Sequence, residues 1–330
     1  MLDIAAPPLP DETPRTIAER EAERVAMDYI RAASARLLQR HGLIVKTGIE
    51  LEFYPVAKNG SPSSYVLDVD DAAVDMHAVG LTCVLKHEYT TVFNGQFEFA
   101  TGVAAPLQTV HAVNRARRWL ESRMQAYGIS RLDFSARPFT DRNPSSLQVS
   151  FSLWSRDNKP LFRRGMDDTM PEVASLAVSG VLDAQIASFP AYAPADADYE
   201  RFDASMWVPR HFGFNYYGNS GASLMQADAY QSPHQGADTL RSKYFRVENR
   251  LASASANPAV IMATTLAGIE WAQHDAFPVY DAARGIKDRG RVPRMRSAAV
   301  QAFNAAATGI NPLQQVAPML HRAITAAYTP

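Results

Sequence analysis

The feature that most constrains this chain is a set of short segments in which apolar residues alternate with polar ones, the polar positions being repeatedly glutamate. Ile49, Leu51 and Phe53 alternate with Glu50 and Glu52, and Phe97 and Phe99 with Gln96 and Glu98. Leu147, Val149, Phe151 and Leu153 oppose Gln148, Ser150 and Ser152, while Val247 and Leu251 oppose Arg246, Glu248 and Arg250. A further run ends in Lys86 and Glu88, on the same side as Val84. A period of two sends successive side chains to opposite faces, so each segment predicts a strand with one buried face. A solvated antiparallel face usually carries Thr, Lys and mixed charge, and polar alternation alone implies no more than such a face. Repeated glutamate on several strands implies more. Facing carboxylates repel and are normally tolerated when a cation sits between them, and a hard divalent ion such as Mg²⁺ or Mn²⁺ suits oxygen donors. With Cys83 the single cysteine and no HExxH spacing among the histidines, zinc chemistry is disfavoured.

Between these strands the spacing changes to three and four, predicting helices. Thr13 and Pro14 open a helix that carries Ala22, Val25, Ala26, Tyr29, Ile30, Ala33 and Leu37 on one face and ends at Gly42. Others are expected over about 106–127 and 171–189, the latter stopped by Pro190 and Pro194. Asn257-Pro258 opens an apolar helix to about Trp271, and Asn311-Pro312 opens one near the end. The expected fold is α+β: a curved, mainly antiparallel sheet whose concave face carries acids and arginines, with helices on its convex face. The chain divides into a Pro-rich arm and N-terminal helix (1–45), a domain that carries these strands (46–275) and a C-terminal helical extension of it (276–330).

Charge and composition narrow the class. The 33 Lys and Arg nearly cancel the 34 Asp and Glu, so no field of one sign is available to hold nucleic acid. A single cysteine excludes an internal disulfide framework and fits a reducing compartment. Residues 1–16 resemble neither a secretory signal nor a transit peptide, and no stretch reaches the roughly 20 apolar residues that span a bilayer. The expectation is a cytoplasmic protein without membrane or nucleic-acid partners. Arg246, Glu248 and Arg250 put two guanidiniums beside one carboxylate, with Lys243 upstream. Alone this reads equally as a structural ion-pair ladder; beside a carboxylate–metal cluster it reads as a phosphate clamp. Neither a Walker A motif nor GxGxxG is present, so a nucleotide would be held without a glycine loop.

The order of these segments resembles the catalytic domain of the glutamine synthetase family. Gly48-Ile-Glu-Leu-Glu-Phe53 is similar to its opening ExE strand, and Gly95-Gln-Phe-Glu-Phe99 to its GQxE strand. Arg137-Pro-Phe139, Asn143 and Ser150-Phe-Ser-Leu-Trp154 resemble its KPF, N and HxSLW sequence. Phe245-Arg-Val-Glu-Asn-Arg250 followed by Ala256-Asn-Pro258 resembles RIEVR and ANP. The resemblance implies that Glu52, Glu88 and Glu98 hold the metal nearest the acceptor, and that Glu50 and Glu248, with Gln148 at a family histidine position, hold the metal bridging the ATP phosphates. It implies that Lys243 and Arg246 contact phosphates, that Ser152 lies beside the adenine with Ser150 near it, and that Asn143, Arg201 and Arg250 hold the carboxylate substrate. The implied reaction is ATP- and Mg²⁺-dependent ligation of a small-molecule carboxylate to an amine through an acyl phosphate.

Departures from the pattern set the competing expectations. Gln148 and Ser150 stand at family histidine positions, Ser220 and Met225 at arginine positions, and Trp207 where the family has a flap glutamate. Trp207 with nearby aromatic residues suggests an amine or acid larger than ammonia or glutamate, or else a core beneath a loop. Only the arm and one helix precede Glu50, in place of the family's small β-grasp domain. A homo-oligomer is therefore compatible with the sequence, but the family's ring assembly is not carried over. The alternatives are a non-catalytic binding or regulatory protein of this fold and, behind it, a guanidino phosphotransferase.

Overall fold

The computed structural model describes residues 17–63, 83–87, 95–123, 129–163, 170–203, 208–215, 221–227, 245–277, 289–298, 300–301 and 311–329. Its strands are β1 (Leu43–Val56), β2 (Cys83–His87), β3 (Phe97–Thr101), β4 (Arg131–Asp133), β5 (Ser146–Ser155), β6 (His211–Asn215), β7 (Gly221–Ala227) and β8 (Phe245–Ser253). Among the described residues they form one open sheet ordered β2-β3-β1-β5-β8-β7-β6, with β4 paired to β1. Every pairing is antiparallel except that of β6 with β7, so the sheet is mixed at one edge.

The alternation works as the period of two requires. Ile49, Leu51, Phe53, Phe97, Phe99, Leu147, Val149, Phe151, Leu153, Val247 and Leu251 enter one apolar core together with the helices. The opposite face is left to the glutamates and arginines. Phe53 is at the centre of an aromatic cluster, 6.0 Å from Phe97 and 5.3 Å from Phe134 between ring centres.

The helices are α1 (Ile17–His41), α2 (Pro106–Arg123), α3 (Glu172–Ile186), α4 (Phe189–Tyr192), α5 (Pro258–Trp271), α6 (Pro312–Val316) and α7 (Pro318–Tyr328). The expected start at Thr13 lies outside the described residues, as does the expected end of α2. Ala22, Val25, Ala26, Ile30, Ala33 and Leu37 form the buried stripe of α1. Gly42, at φ +67°, ends the helix in the left-handed conformation that glycine tolerates. Tyr29 lies at the margin of the stripe, where its hydroxyl donates to Glu270 at 2.6 Å and Arg36 Nε meets the other carboxylate oxygen at 2.5 Å, pinning α1 to α5.

Helix α5 is the hub of the helical layer and is buried almost all round. Asn257 caps it by accepting from the main-chain N–H of Ala259 and Val260, with Pro258 in the first turn. It crosses α3 at two glycines. A Cβ on Gly180 would lie 2.1 Å from the Gly268 carbonyl oxygen, and one on Gly268 would lie 2.5 Å from Val181 Cα.

One helix expectation is corrected, and the start expected at Asn311-Pro312 is found. The segment expected to run unbroken over 171–189 breaks at Ala187 and Ser188, and Pro190 lies inside the short α4 rather than ending a helix. Proline is accepted in a first turn because the N–H it lacks has no intrahelical partner there. The helix opened by Asn311 stops at Ala317 and restarts at Pro318, since a residue before proline is pushed out of the helical region.

Candidate functional site

Register alone assembles the acidic face. Glu50 pairs with Ala100 on β3 and Gln148 on β5, and Glu52 pairs with Glu98. Ser150 lies between Gly48 on one side and Glu248 on the other, and Ser152 is opposite Lys46. Glu50, Glu52, Glu98, Gln148, Ser150 and Glu248 therefore come together on one face of four adjacent strands although they are distant in sequence. Glu52, Glu98 and Glu248 are buried. Burial of several carboxylates costs heavily unless cations or donors face them.

Part of that compensation comes from Arg246. Its Nη2 lies 3.7 Å from Glu50 and 3.5 Å from Glu248, and its Nε donates to Ser150 Oγ at 3.2 Å. The guanidinium thus extends over β5 between carboxylates of the two flanking strands. A small residue at Ser150 leaves the room for it, where a larger side chain would obstruct that path.

Gln148 organises the other half. Ser146 donates to Glu52 Oε2 twice, through its main-chain N–H at 2.6 Å and its hydroxyl at 2.8 Å. Gln148 Nε2 donates to Ser146 Oγ at 3.1 Å and reaches Glu52 Oε1 at 3.4 Å, while its Oε1 accepts from Arg250 Nε at 3.2 Å. The register jumps here: Leu147 pairs with Ala252 but Val149 with Asn249, so Gln148 opposes both Arg250 and Leu251 in a bulge on β8. A bulge withdraws main-chain groups from the ladder, and Arg201 supplies donors. Its Nη1 donates to the Leu251 carbonyl at 2.7 Å and Nη2 to the Arg250 carbonyl at 3.0 Å. Burial lowers the Arg201 pKa to about 10, with Glu52 opposing the shift and Arg250 adding to it. Arg250 is buried too, and its Nη1 has no hydrogen-bond partner among the described residues. A buried guanidinium N–H of this kind is a ready donor to an oxyanion.

Of the remaining expected residues, Ser152 lies on the same face and accepts from Trp154 Nε1 at 3.0 Å. Asn143 leads into β5 and is held through its carbonyl by the Tyr54 hydroxyl at 2.8 Å, which places its main chain and not its side chain. Glu88, Lys243 and Trp207 lie outside the described residues. Two residues of the face went unnoticed in the sequence. Lys46 shares the parity of Glu50 and sits with Nζ 3.5 Å from the Trp154 ring centre, and Ser146 shares the parity of Gln148. Extending each alternation by one or two residues finds both. A separate cavity of about 170 Å³, lined by Phe202, Pro209, Arg210, His211, Arg291, Val292 and Arg294, shares no residue with this face.

The donors on the face are carboxylate, amide and hydroxyl oxygens, a set that suits Mg²⁺ or Mn²⁺ in kind. Among the described residues, no three His, Cys, Asp or Glu side chains gather as a metal group. Both oxygens of Glu52 are already engaged by Ser146 and Gln148. No helix among the described residues is long and apolar enough to cross a membrane.

The chain is similar to several known proteins. Gamma-glutamylputrescine synthetase PuuA of Escherichia coli (strain K12) is 24% identical over 152 residues, which is 46% of this chain and 29% of that protein. The match thus spans less than a third of the relative's length. A structure titled GmaS/ADP complex superposes with a TM-score of 0.64 over 92% of this chain and 73% of its own, at 19% identity. A novel glutamine synthase homolog gives 0.68 over 92% and 68%, at 17% identity. At such identities the two structures speak for the fold alone. The family model for the glutamine synthetase catalytic domain matches residues 69–308, more than half of the chain, leaving only the Glu50 and Glu52 strand of the acidic face outside the match; this protein belongs to the glutamine synthetase catalytic-domain family.

Proposed function

We propose that the chain is an ATP-dependent carboxylate–amine ligase forming a γ-glutamyl-type amide on a small-molecule acid. The observation that carries the reading is the convergence of Glu50, Glu52, Glu98 and Glu248 with Arg246 and Arg250 on one sheet face, in a chain of this family. A carboxylate oxygen of the acid attacks the γ-phosphorus of ATP, and the bond to the β,γ-bridging oxygen breaks to release ADP. The amine nitrogen then attacks the acyl carbon, phosphate leaves, and the amine gives up a proton. The chain presents cations rather than a nucleophile, which suits a reaction governed by positioning and charge stabilisation.

In this reading Glu50 and Glu248 hold one divalent cation, with Gln148 at the margin, and Glu52, Glu98 and Glu88 hold a second. Such ions neutralise phosphate charge. Arg246 and Lys243 hold phosphate oxygens, Ser150 and Ser152 flank the nucleotide, and Arg250 with Asn143 holds the acid. Arg201 supports Arg250 from behind, and Trp207 borders the substrate. PuuA's name makes L-glutamate with putrescine the first pair to try. Incubation with ATP, Mg²⁺ and a panel of acids and amines is expected to release ADP and free phosphate in equal amounts, dependent on both substrates. ADP without phosphate would indicate a kinase, and neither product would indicate a binding protein. That last reading is favoured by one observation, the engagement of Glu52 and Gln148 in internal hydrogen bonds.

A further inference from the structure

We propose that Gln148 is a positioning residue, an amide clamp that fixes the Arg250 guanidinium so that Nη1 faces an oxyanion, rather than a ligand to a metal ion. The chemistry of its neighbours dictates the assignment. Arg250 Nε can only donate, and the Glu52 carboxylate facing Nε2 accepts, so the side chain between them must accept at one end and donate at the other. The amide does so with Oε1 at 3.2 Å from Arg250 Nε and Nε2 at 3.1 Å from Ser146 Oγ and 3.4 Å from Glu52 Oε1. Turning the amide over would set donor against donor at Arg250 and acceptor against acceptor at Glu52. Its orientation is therefore forced, and its oxygen is directed at a cation that the chain itself supplies.

The bulge adds the second restraint. Gln148 is the single β5 residue facing the two bulged residues of β8, and Arg201 holds the carbonyls of those same residues. Arg250 is thus gripped through its side chain by Gln148 and through its main chain by Arg201, and its Nη1 is buried without a hydrogen-bond partner among the described residues. The ligand class is an oxyanion, either the carboxylate of the acid or a phosphate of the nucleotide. Naming these two sources rests on the ligase reading; the clamp does not.

The test uses the full chain and three variants, Gln148→Leu, Gln148→Glu and Arg250→Lys. In the protein without ligands, ¹⁵N-resolved NMR should show a slowly exchanging arginine Nε–H signal that vanishes in Arg250→Lys. Gln148→Leu should speed its exchange at least tenfold. Gln148→Glu loses the donor to Glu52 and Ser146 but keeps an acceptor for Arg250, so it should preserve the Nε–H signal, and this second variant guards against a leucine substitution that merely misfolds. L-Glutamate and Mn²⁺·ADP are then titrated separately by calorimetry. In Gln148→Leu one of the two should weaken at least tenfold and the other less than threefold, and the arm that falls identifies carboxylate or phosphate. An Nε–H signal indifferent to Gln148→Leu overturns the clamp. So does a Gln148→Glu variant that binds Mn²⁺ alone at least tenfold more tightly, as a metal ligand gaining charge would. Absence of ADP and phosphate release by the wild type would sink the ligase reading while leaving the NMR result decisive.

Discussion

Arg201 grips Arg250 by its main chain: Nη2 donates to the Arg250 carbonyl at 3.0 Å while Nη1 of the same guanidinium donates to the next carbonyl, that of Leu251, at 2.7 Å. Both acceptors belong to the bulge opposite Gln148, and the donor is almost wholly buried. Replacing Arg201 by Leu leaves two buried carbonyls without those donors at about 1–3 kcal/mol each, partly offset by relief of a buried charge. The expected net loss is about 2–4 kcal/mol in urea unfolding. A loss below about 0.5 kcal/mol would mean that the bulge does not depend on Arg201.

Glu52 opposite Glu98 sets a second expectation. Directly opposed like charges on antiparallel strands destabilise a sheet by up to about 1 kcal/mol. Glu98→Gln removes one charge at constant shape, so without divalent ions the variant should unfold at equal or higher urea concentration than the wild type. Adding Mn²⁺ should raise the wild-type Tm and leave that of the variant nearly unchanged. If Mn²⁺ shifts both equally, Glu98 does not belong to the cation site.

How much of this was legible in the sequence depends on what each residue's partner is. Glu50, Glu52, Glu98 and Glu248 could be read because alternation is a local property, and a strand's parity fixes the face of every second residue. The register that sets Glu52 against Glu98, or Ser150 against Glu248, is a pairing between distant segments, and only the resemblance to the family suggested it. The β8 bulge was not legible. Leu251 and Ala252 both enter the core because the extra residue resets the parity, a change that no alternation count predicts. Arg201 was expected to hold substrate because the resemblance to the family implied it; that two of its nitrogens serve the β8 main chain emerges only from the bulge. Gln148 was read as a metal ligand on the same resemblance, and its partners Ser146 and Arg250 are set by packing that the sequence does not display.

The crossing of α3 and α5 allows no side chain. Alanine at Gly180 would bring Cβ to 2.1 Å from the Gly268 carbonyl oxygen, and alanine at Gly268 would bring it to 2.5 Å from Val181 Cα. Both obstacles are main-chain atoms, so the helices themselves must separate, and α5 anchors α1, α3 and the sheet together. Each substitution should cost about 3 kcal/mol or more, above the usual range for overpacking and despite the helix propensity that alanine adds. Thermal unfolding of either variant within about 2 °C of the wild type would contradict so close a crossing.

The pH dependence of stability should carry a signature of Asp198. Its carboxylate is buried, accepting from the Ala195 N–H at 2.8 Å and the Ser255 hydroxyl at 2.7 Å. Burial raises its pKa above the ordinary 3.8, and the hydrogen bonds from Ser255 and Ala195 together with the Arg201 charge only partly oppose this. The native state therefore holds its proton to higher pH than the unfolded chain does. Between the two pKa values the folded form binds more protons, so the contribution of this group is fully present below the unfolded value and is lost as pH rises through the folded one. Asp198→Asn has no such proton to bind. The stability of the wild type relative to Asp198→Asn should accordingly grow as pH falls from about 7 to about 4, and urea titrations of both proteins across that range measure it directly. A difference that stays flat, or that shrinks toward acid, would place the Asp198 carboxylate in a better solvated setting than its burial describes.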